Sequence, residues 1–144
     1  MSLLLDTNVL SELRKGARAN ARLRGWFDGV AADEIYLSVL VIGELRRGIE
    51  LVRRRDARQA AALERWLTRV TADQADRILP VDEAVADHWG RLTASRPGSV
   101  IDTLMASTAL VHGLVLVTRN VKDFKSCPIS VCSPKKFLTF ATKS

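Results

Sequence analysis

Short apolar runs alternate with longer segments of helical period along this chain, and that alternation restricts its fold more than any other feature. Leu3–Leu5, Ile35–Ser38, residues 78–81 and residues 114–117 are brief and almost wholly apolar, as buried strands are. Between them the spacing predicts helices over residues 9–15, 19–30, 39–55, 58–70, 83–94 and 99–112. In the second of these, Leu23, Trp26, Phe27 and Val30 fall on one side. Pro80 marks its run as an edge strand or a strand end. Ser38 and Asp82 read as helix N-caps and Gly113 as a C-cap, while Arg96-Pro97-Gly98 breaks the chain. A last short strand is predicted at residues 129–131. Strands alternating with helices predict an α/β fold: a three-layer α/β/α sandwich with a mainly parallel sheet flanked by helices. No repeat or linker interrupts the pattern, so one domain is expected over residues 1–132, with a Lys-rich tail at 133–144.

Charge narrows the partners. The 144 residues carry 22 Lys plus Arg against 16 Asp plus Glu, a net charge of +6. Such a field favours an anionic partner, nucleic acid being the commonest, although a membrane surface or an acidic protein also fits. The two cysteines, Cys127 and Cys132, have no Cys/His cluster near them, which points away from a zinc site. No signal peptide and no apolar stretch of membrane-spanning length is read in the sequence, so a cytoplasmic protein is expected.

The informative residues are carboxylates at positions where apolar side chains are expected. Asp6 ends the Leu3–Leu5 run, and parallel α/β sheets bind ligands beyond the carboxyl ends of their strands. On a helix starting at Val39, Glu44 shares an arc with Leu40, Val41, Leu45, Gly48, Leu51 and Val52. It is therefore expected to point with the buried stripe, where it needs a cation, either a metal or Arg47. Asp102 lies in the first turn of a nearly all-apolar helix, on a face with Met105, Ala106 and Ala109. A capping box with Ser99 explains it equally well. Asn120 ends the last long apolar run as Asp6 ends the first, and Asp123 follows three residues later. Either residue can supply an oxygen ligand. Gathered in one pocket, such acids repel unless divalent cations neutralise them, and all-oxygen ligation selects Mg²⁺ or Mn²⁺. Metal-loaded acidic pockets on basic proteins suit phosphodiester hydrolysis.

Four stretches carry a family resemblance: LLDTNVLSELRKG (4–16), YLSVLVIGELRRGIELVRRRD (36–56), RILPVDEAVADHWGRL (77–92) and VIDTLMASTALVHGLVLVTRNVKDF (100–124). In order and spacing the chain resembles the PIN-domain ribonucleases, specifically the VapC-type, FitB-like toxins of bacterial toxin–antitoxin pairs. The resemblance implies a PIN-like fold and a Mg²⁺- or Mn²⁺-dependent endoribonuclease. It implies Asp6, Glu44 and Asp102 as metal-binding acids with Asn120 or Asp123 at the fourth corner, and Asp6, Glu44, Asp102 and Asp123 as the catalytic set. Thr7, Asn8, Ser38, Thr118 and Arg119 are expected to support that site. The implied partners are an RNA substrate, a VapB-type antitoxin, a second copy of the chain in a homodimer or larger assembly, and DNA only through the antitoxin.

Other features have two readings. The arginines at 46, 47, 53, 54, 55 and 58 either grip RNA or form a solvated helix face in which Glu50 pairs with Arg54. Trp26, Trp66 and Trp89 read as core or interface rather than stacking platforms. His88 and His112 lack partners suited to general-base work. A non-catalytic RNA- or partner-binding module, and phosphotransfer on Asp6, are the alternative functions. The second pairs poorly with a single acid at the first strand's end and with Arg119, rather than Lys, after Thr118.

Overall fold

The computed structural model describes residues 2–124, 127 and 131–132, with backbone placement only for the last pair. Eleven regular elements run in the order β1 (Leu3–Leu5), α1 (Thr7–Leu13), α2 (Ala21–Asp28), β2 (Ile35–Ser38), α3 (Val39–Arg53), α4 (Ala57–Asp73), β3 (Ile78–Leu79), α5 (Glu83–Ser95), α6 (Val100–His112), β4 (Val115–Val117) and β5 (Val131–Cys132). The strands form one sheet in the order β3-β2-β1-β4-β5, and every pairing is parallel. The expected α/β architecture is present.

The sheet's interior strands are sealed because their side chains face apolar neighbours on both sides. Leu3, Leu4, Leu5, Leu37, Leu116 and Val117 are buried, together with Val41, Leu45 and Ile49 from α3 and Met105, Ala106 and Ala109 from α6. Burying one such side chain contributes roughly 1.5–3 kcal/mol, so this layer dominates the fold's stability. Strand β3 stops before Pro80 and lies at the sheet edge, where a missing N–H costs no ladder bond.

Helix starts follow local chemistry. Ser38 Oγ accepts from Leu40 N at 3.1 Å, Asp82 Oδ1 from Val85 N at 3.0 Å, and Asp56 Oδ1 from Gln59 N at 3.0 Å. Gly113 ends α6 in the left-handed region at φ 63°, which glycine occupies at little cost. Helix α1 begins at Thr7 rather than at residue 9, because Asp6 itself is its N-cap. A second shift lies at the C-terminal edge. Strand β5 covers Val131–Cys132 instead of 129–131, and Ile129 falls outside the described residues. So does the tail at 133–144.

Topology decides where a site can form. Connections from β1 pass to β2 and β3 on one side, whereas β4 and β5 add on the other, so the order reverses between β1 and β4. A crevice opens beyond the carboxyl ends of the strands at such a reversal. Asp6 follows β1 there, and Thr118 follows β4.

Candidate active site

Asp6 is buried and its carboxylate is bonded at both oxygens. Oδ1 accepts from Thr7 N at 2.8 Å, the capping bond of α1. Oδ2 accepts from the Thr118 hydroxyl at 2.7 Å and from Asn8 Nδ2 at 3.3 Å. Its backbone N–H donates to Val117 O at 2.9 Å, prolonging the β1–β4 ladder by one bond. The side chain is therefore fixed both by the strand and by the helix that follows it.

Thr118 is the hub of this corner. It is fully buried, and its hydroxyl donates to Asp6 while accepting from Asn120 N at 3.1 Å and Asn8 Nδ2 at 3.3 Å. One donor and two acceptors exhaust what a hydroxyl offers. Asn8 in turn accepts from Arg119 N at 3.1 Å. Residues 6, 8, 118, 119 and 120 are thus one hydrogen-bonded unit spanning the crevice. Ser38 takes no part in it; fully buried, it caps α3.

Glu44 corrects the sequence reading. It is exposed, and the buried stripe of α3 is Val41, Leu45 and Ile49 with Val52 half-buried. The stripe is turned from the expected arc, so that Glu44, Gly48 and Leu51 lie on an open flank. Glu44 Oε1 accepts from the Thr7 hydroxyl at 2.6 Å, which ties α3 to the first turn of α1 beside Asp6. A hydroxyl, not Arg47, is its partner among the described residues.

Asp102 is half-buried in the first turn of α6. Its N–H reaches Ser99 Oγ at 3.5 Å, a long bond, and no reciprocal bond from the carboxylate to the Ser99 amide closes a capping box among the described residues. The turn is held instead by Thr103, which donates to Ser99 O at 2.8 Å and accepts from Trp89 Nε1 at 2.9 Å. That bond gives Trp89 a positioning part at the α5–α6 contact. Burial raises the Asp102 carboxyl above the ordinary Asp range, and the charges of Asp6, Asp123 and Glu44 raise it further. Acids from the end of β1, from α3 and from the turn Val121–Phe124 therefore act electrostatically on the one in α6. Asp123 belongs to this group, whereas Asn120 brings no charge and bonds to Thr118 through its backbone.

The donor set is all oxygen and carries like charges, and Asp102 within it resists ionisation, which fits a hard divalent cation. As the side chains stand, no three His, Cys, Asp or Glu among the described residues are gathered tightly enough to hold one ion. The charge cluster has a measurable consequence. An Asp whose carboxyl is raised in the folded state loses stability as pH climbs through its unfolded value, and the cost is complete above the folded value. Asp102→Asn is accordingly expected to raise the melting temperature of metal-free protein by about 2 °C at pH 7, with the gain vanishing under acid conditions where Asp102 is itself protonated. Differential scanning calorimetry in chelator checks it; an unchanged or lower melting point at pH 7 would show that the acids do not repel.

The basic run on α3 and α4 is partly consumed internally. Arg53 Nε donates to Glu50 at 3.0 Å and pairs with Glu64 at 3.4 Å, and Arg46 reaches both acids, so these four join α3 to α4. Glu50 pairs with Arg53 and Arg46 rather than with Arg54. One group of two ion pairs on a shared carboxylate was not anticipated in the sequence. Glu12 of α1 pairs with Arg119 at 3.4 Å and with Lys15 at 2.7 Å. The i,i+3 spacing of Glu12 and Lys15 was its visible trace.

Asp6, Glu44 and Asp123, within electrostatic reach of Asp102 in a parallel sheet whose order reverses beside Asp6, define a class of α/β protein with an oxygen-rich acidic centre. The PIN domain family model matches residues 3–128, and the chain belongs to that family. It is 31% identical to "Toxin FitB" of Neisseria gonorrhoeae over 92% of this chain and 97% of that one. It is 31% identical to "VapC ribonuclease Y4jK" of Sinorhizobium fredii over 92% and 96%. Among solved structures, the FitAcB crystal structure from Neisseria gonorrhoeae superposes with a TM-score of 0.83 at 30% identity, covering 92% of this chain and 98% of that one. A structure of FitAB bound to an IR36 DNA fragment gives 0.82 at 29% identity, over 92% and 94%.

Proposed function

We propose that this chain is an endoribonuclease toxin of a toxin–antitoxin pair, dependent on Mg²⁺ or Mn²⁺. What supports the reading is the electrostatic coupling of Asp102 to Asp6, Glu44 and Asp123, in a chain whose relatives over nearly its full length are named toxins and VapC ribonucleases. Asp6, Glu44 and Asp102 would hold the metal, with Asp123, whose charge acts on Asp102, or Asn120 as the fourth ligand. When bound, the metal would supply an activated water and neutralise charge on the phosphodiester. The chain's own residues do the rest. Thr118 and Asn8 hold Asp6 in one rotamer, Thr7 orients Glu44, and Trp89 and Thr103 fix the turn that carries Asp102. Leu5 and Val117, which precede Asp6 and Thr118 in the chain, and Met105, one turn after Asp102, are fully buried.

Relatives crystallised as FitAB and VapBC complexes, some on DNA, support a VapB-type antitoxin as the partner, with DNA reached through it. A homodimer within such an assembly and a cytoplasmic location complete the proposal. No helix among the described residues is long and apolar enough to cross a membrane. The test is direct. Purified protein is incubated with total RNA in Mg²⁺, in Mn²⁺ and in chelator. Cleavage in either metal that stops in chelator is expected; intact RNA in both metals would overturn the reading.

A further inference from the structure

Four carboxylates make a poor landing place for a phosphodiester. Each repels the phosphate, so a strand that enters the crevice needs fixed positive charge at its rim. The structure supplies that charge at one place built from α1 and the segment after β4. Glu12 is partly covered, at 12% side-chain exposure, whereas its two cationic partners Lys15 and Arg119 are 45% and 46% exposed. The carboxylate is therefore the inner anchor and the cations point outward with unused donors.

Both oxygens of Glu12 are committed. Oε1 accepts from Asn20 N at 3.0 Å, tying the anchor to the cap of α2. Oε2 meets Lys15 Nζ at 2.7 Å and Arg119 Nη1 at 3.4 Å. The bond from Lys15, then that from the Asn20 amide, holds the Glu12 carboxyl below the usual carboxylate range. Arg119 is pinned a second time through its backbone N–H on Asn8, one residue from the Thr118 hydroxyl that grips Asp6. Arg119 is thus held at its backbone by Asn8 and at its guanidinium by Glu12, next in sequence to the threonine that grips Asp6. Half-exposed ion pairs contribute little to stability, so this pairing is weakly explained as a structural device. As a device for holding a forked donor ready for phosphate it is well explained, because the rotamer entropy of the long side chain is spent before RNA arrives.

We propose that Glu12 is a positioning residue for substrate binding: it holds Arg119 and Lys15 as a cationic pair that takes an RNA backbone phosphate flanking the bond cut at Asp6. This rests on the ribonuclease reading above.

Glu12→Gln isolates the effect. The amide oxygen can still accept from Asn20, so the α1–α2 link survives while both ion pairs are lost. Simple electrostatics makes the opposite forecast from positioning. Removing one negative charge should tighten RNA binding, whereas loss of the anchor should weaken it. Steady-state cleavage of a fluorescently labelled single-stranded oligoribonucleotide in Mg²⁺ is expected to show KM raised about fivefold with kcat within about twofold, as for loss of one charge-assisted phosphate contact. Arg119→Ala should give a similar KM, lower the slope of log KM against log salt by about 0.7, and leave little further effect for Glu12→Gln added to it. A Glu12→Gln enzyme with unchanged or lower KM overturns the inference while leaving the ribonuclease reading intact. Should wild-type protein cut no RNA, both fall together. Where Glu12→Gln does not fold by circular dichroism, Arg119→Ala decides: an unchanged KM and salt slope reject the cationic pair.

Discussion

Asp6→Asn is expected to abolish RNA cleavage, a fall on the order of a thousandfold or more in kcat/KM, with the fold retained. The two halves of that expectation have separate causes. The substitution keeps Oδ1 in place to accept from Thr7 N, and Asn caps helices as well as Asp does, so α1 still starts where it does now. What changes is Oδ2. There the carboxylate accepts from both Thr118 and Asn8 and lends a negative charge to the crevice. The new amide group would bring a third donor to a place occupied by two, and Thr118 already uses both of its acceptor positions. That mismatch costs about 1–2 kcal/mol, partly offset by the repulsion relieved at Asp102. Loss of the charge is not offset, because a divalent cation held by oxygen ligands depends on ionised groups. Cleavage of labelled RNA in Mg²⁺ or Mn²⁺, alongside thermal unfolding followed by circular dichroism, measures both. Cleavage by the variant at the wild-type rate would remove Asp6 from the site altogether.

The contrast between Asp6 and Glu44 shows what a sequence can carry. Asp6 was legible because two independent signals coincide there: an apolar strand stops, and a polar turn of Thr and Asn begins. The parallel sheet was legible for a related reason, since strands buried on both faces leave no polar alternation to misread. Glu44 was found for a reason that does not hold. Counting positions on a helical arc placed it among buried residues, yet α3 is rotated so that Val41, Leu45 and Ile49 face the sheet and Glu44 faces the opening. Periodicity fixes which residues share a face but leaves the face's rotation to packing, and a shift of half a side chain's width moves a carboxylate from core to cleft. The Thr7–Glu44 bond spans 37 residues and the Thr118–Asp6 bond 112, and no local pattern announces such long-range pairs. The Glu12 anchor was hidden in the same way. Its local partner Lys15 looks like an ordinary surface pair, and only the return of the chain after β4 gives the pair a place beside Asp6.

The second large effect is expected at a residue that carries no charge. Thr118→Val nearly preserves shape in a fully buried position, and every loss it causes is one of hydrogen bonding. Asp6 Oδ2 loses its shortest bond, at 2.7 Å, and Asn120 N and Asn8 Nδ2 lose an acceptor. Unsatisfied polar groups in such a place cost about 1–3 kcal/mol, so a melting point lower by several degrees is expected. Activity should fall further than stability does. With Asn8 at 3.3 Å as its one remaining side-chain donor among the described residues, the Asp6 carboxylate gains freedom to rotate, and loss of a partner that orients a metal-binding group typically costs ten- to a hundredfold. The loss should fall on kcat and on the metal concentration at half-maximal rate, with KM for RNA little changed, which separates it from the Glu12 variant. Thr118→Ser supplies the control, since it restores the hydroxyl while removing a methyl group. Recovery of most of the activity in the serine variant, despite a melting point that stays below wild type, would assign the effect to the hydroxyl. Equal damage from serine and valine would instead assign it to packing around β4, and Thr118 would then be a core residue that happens to lie beside the site.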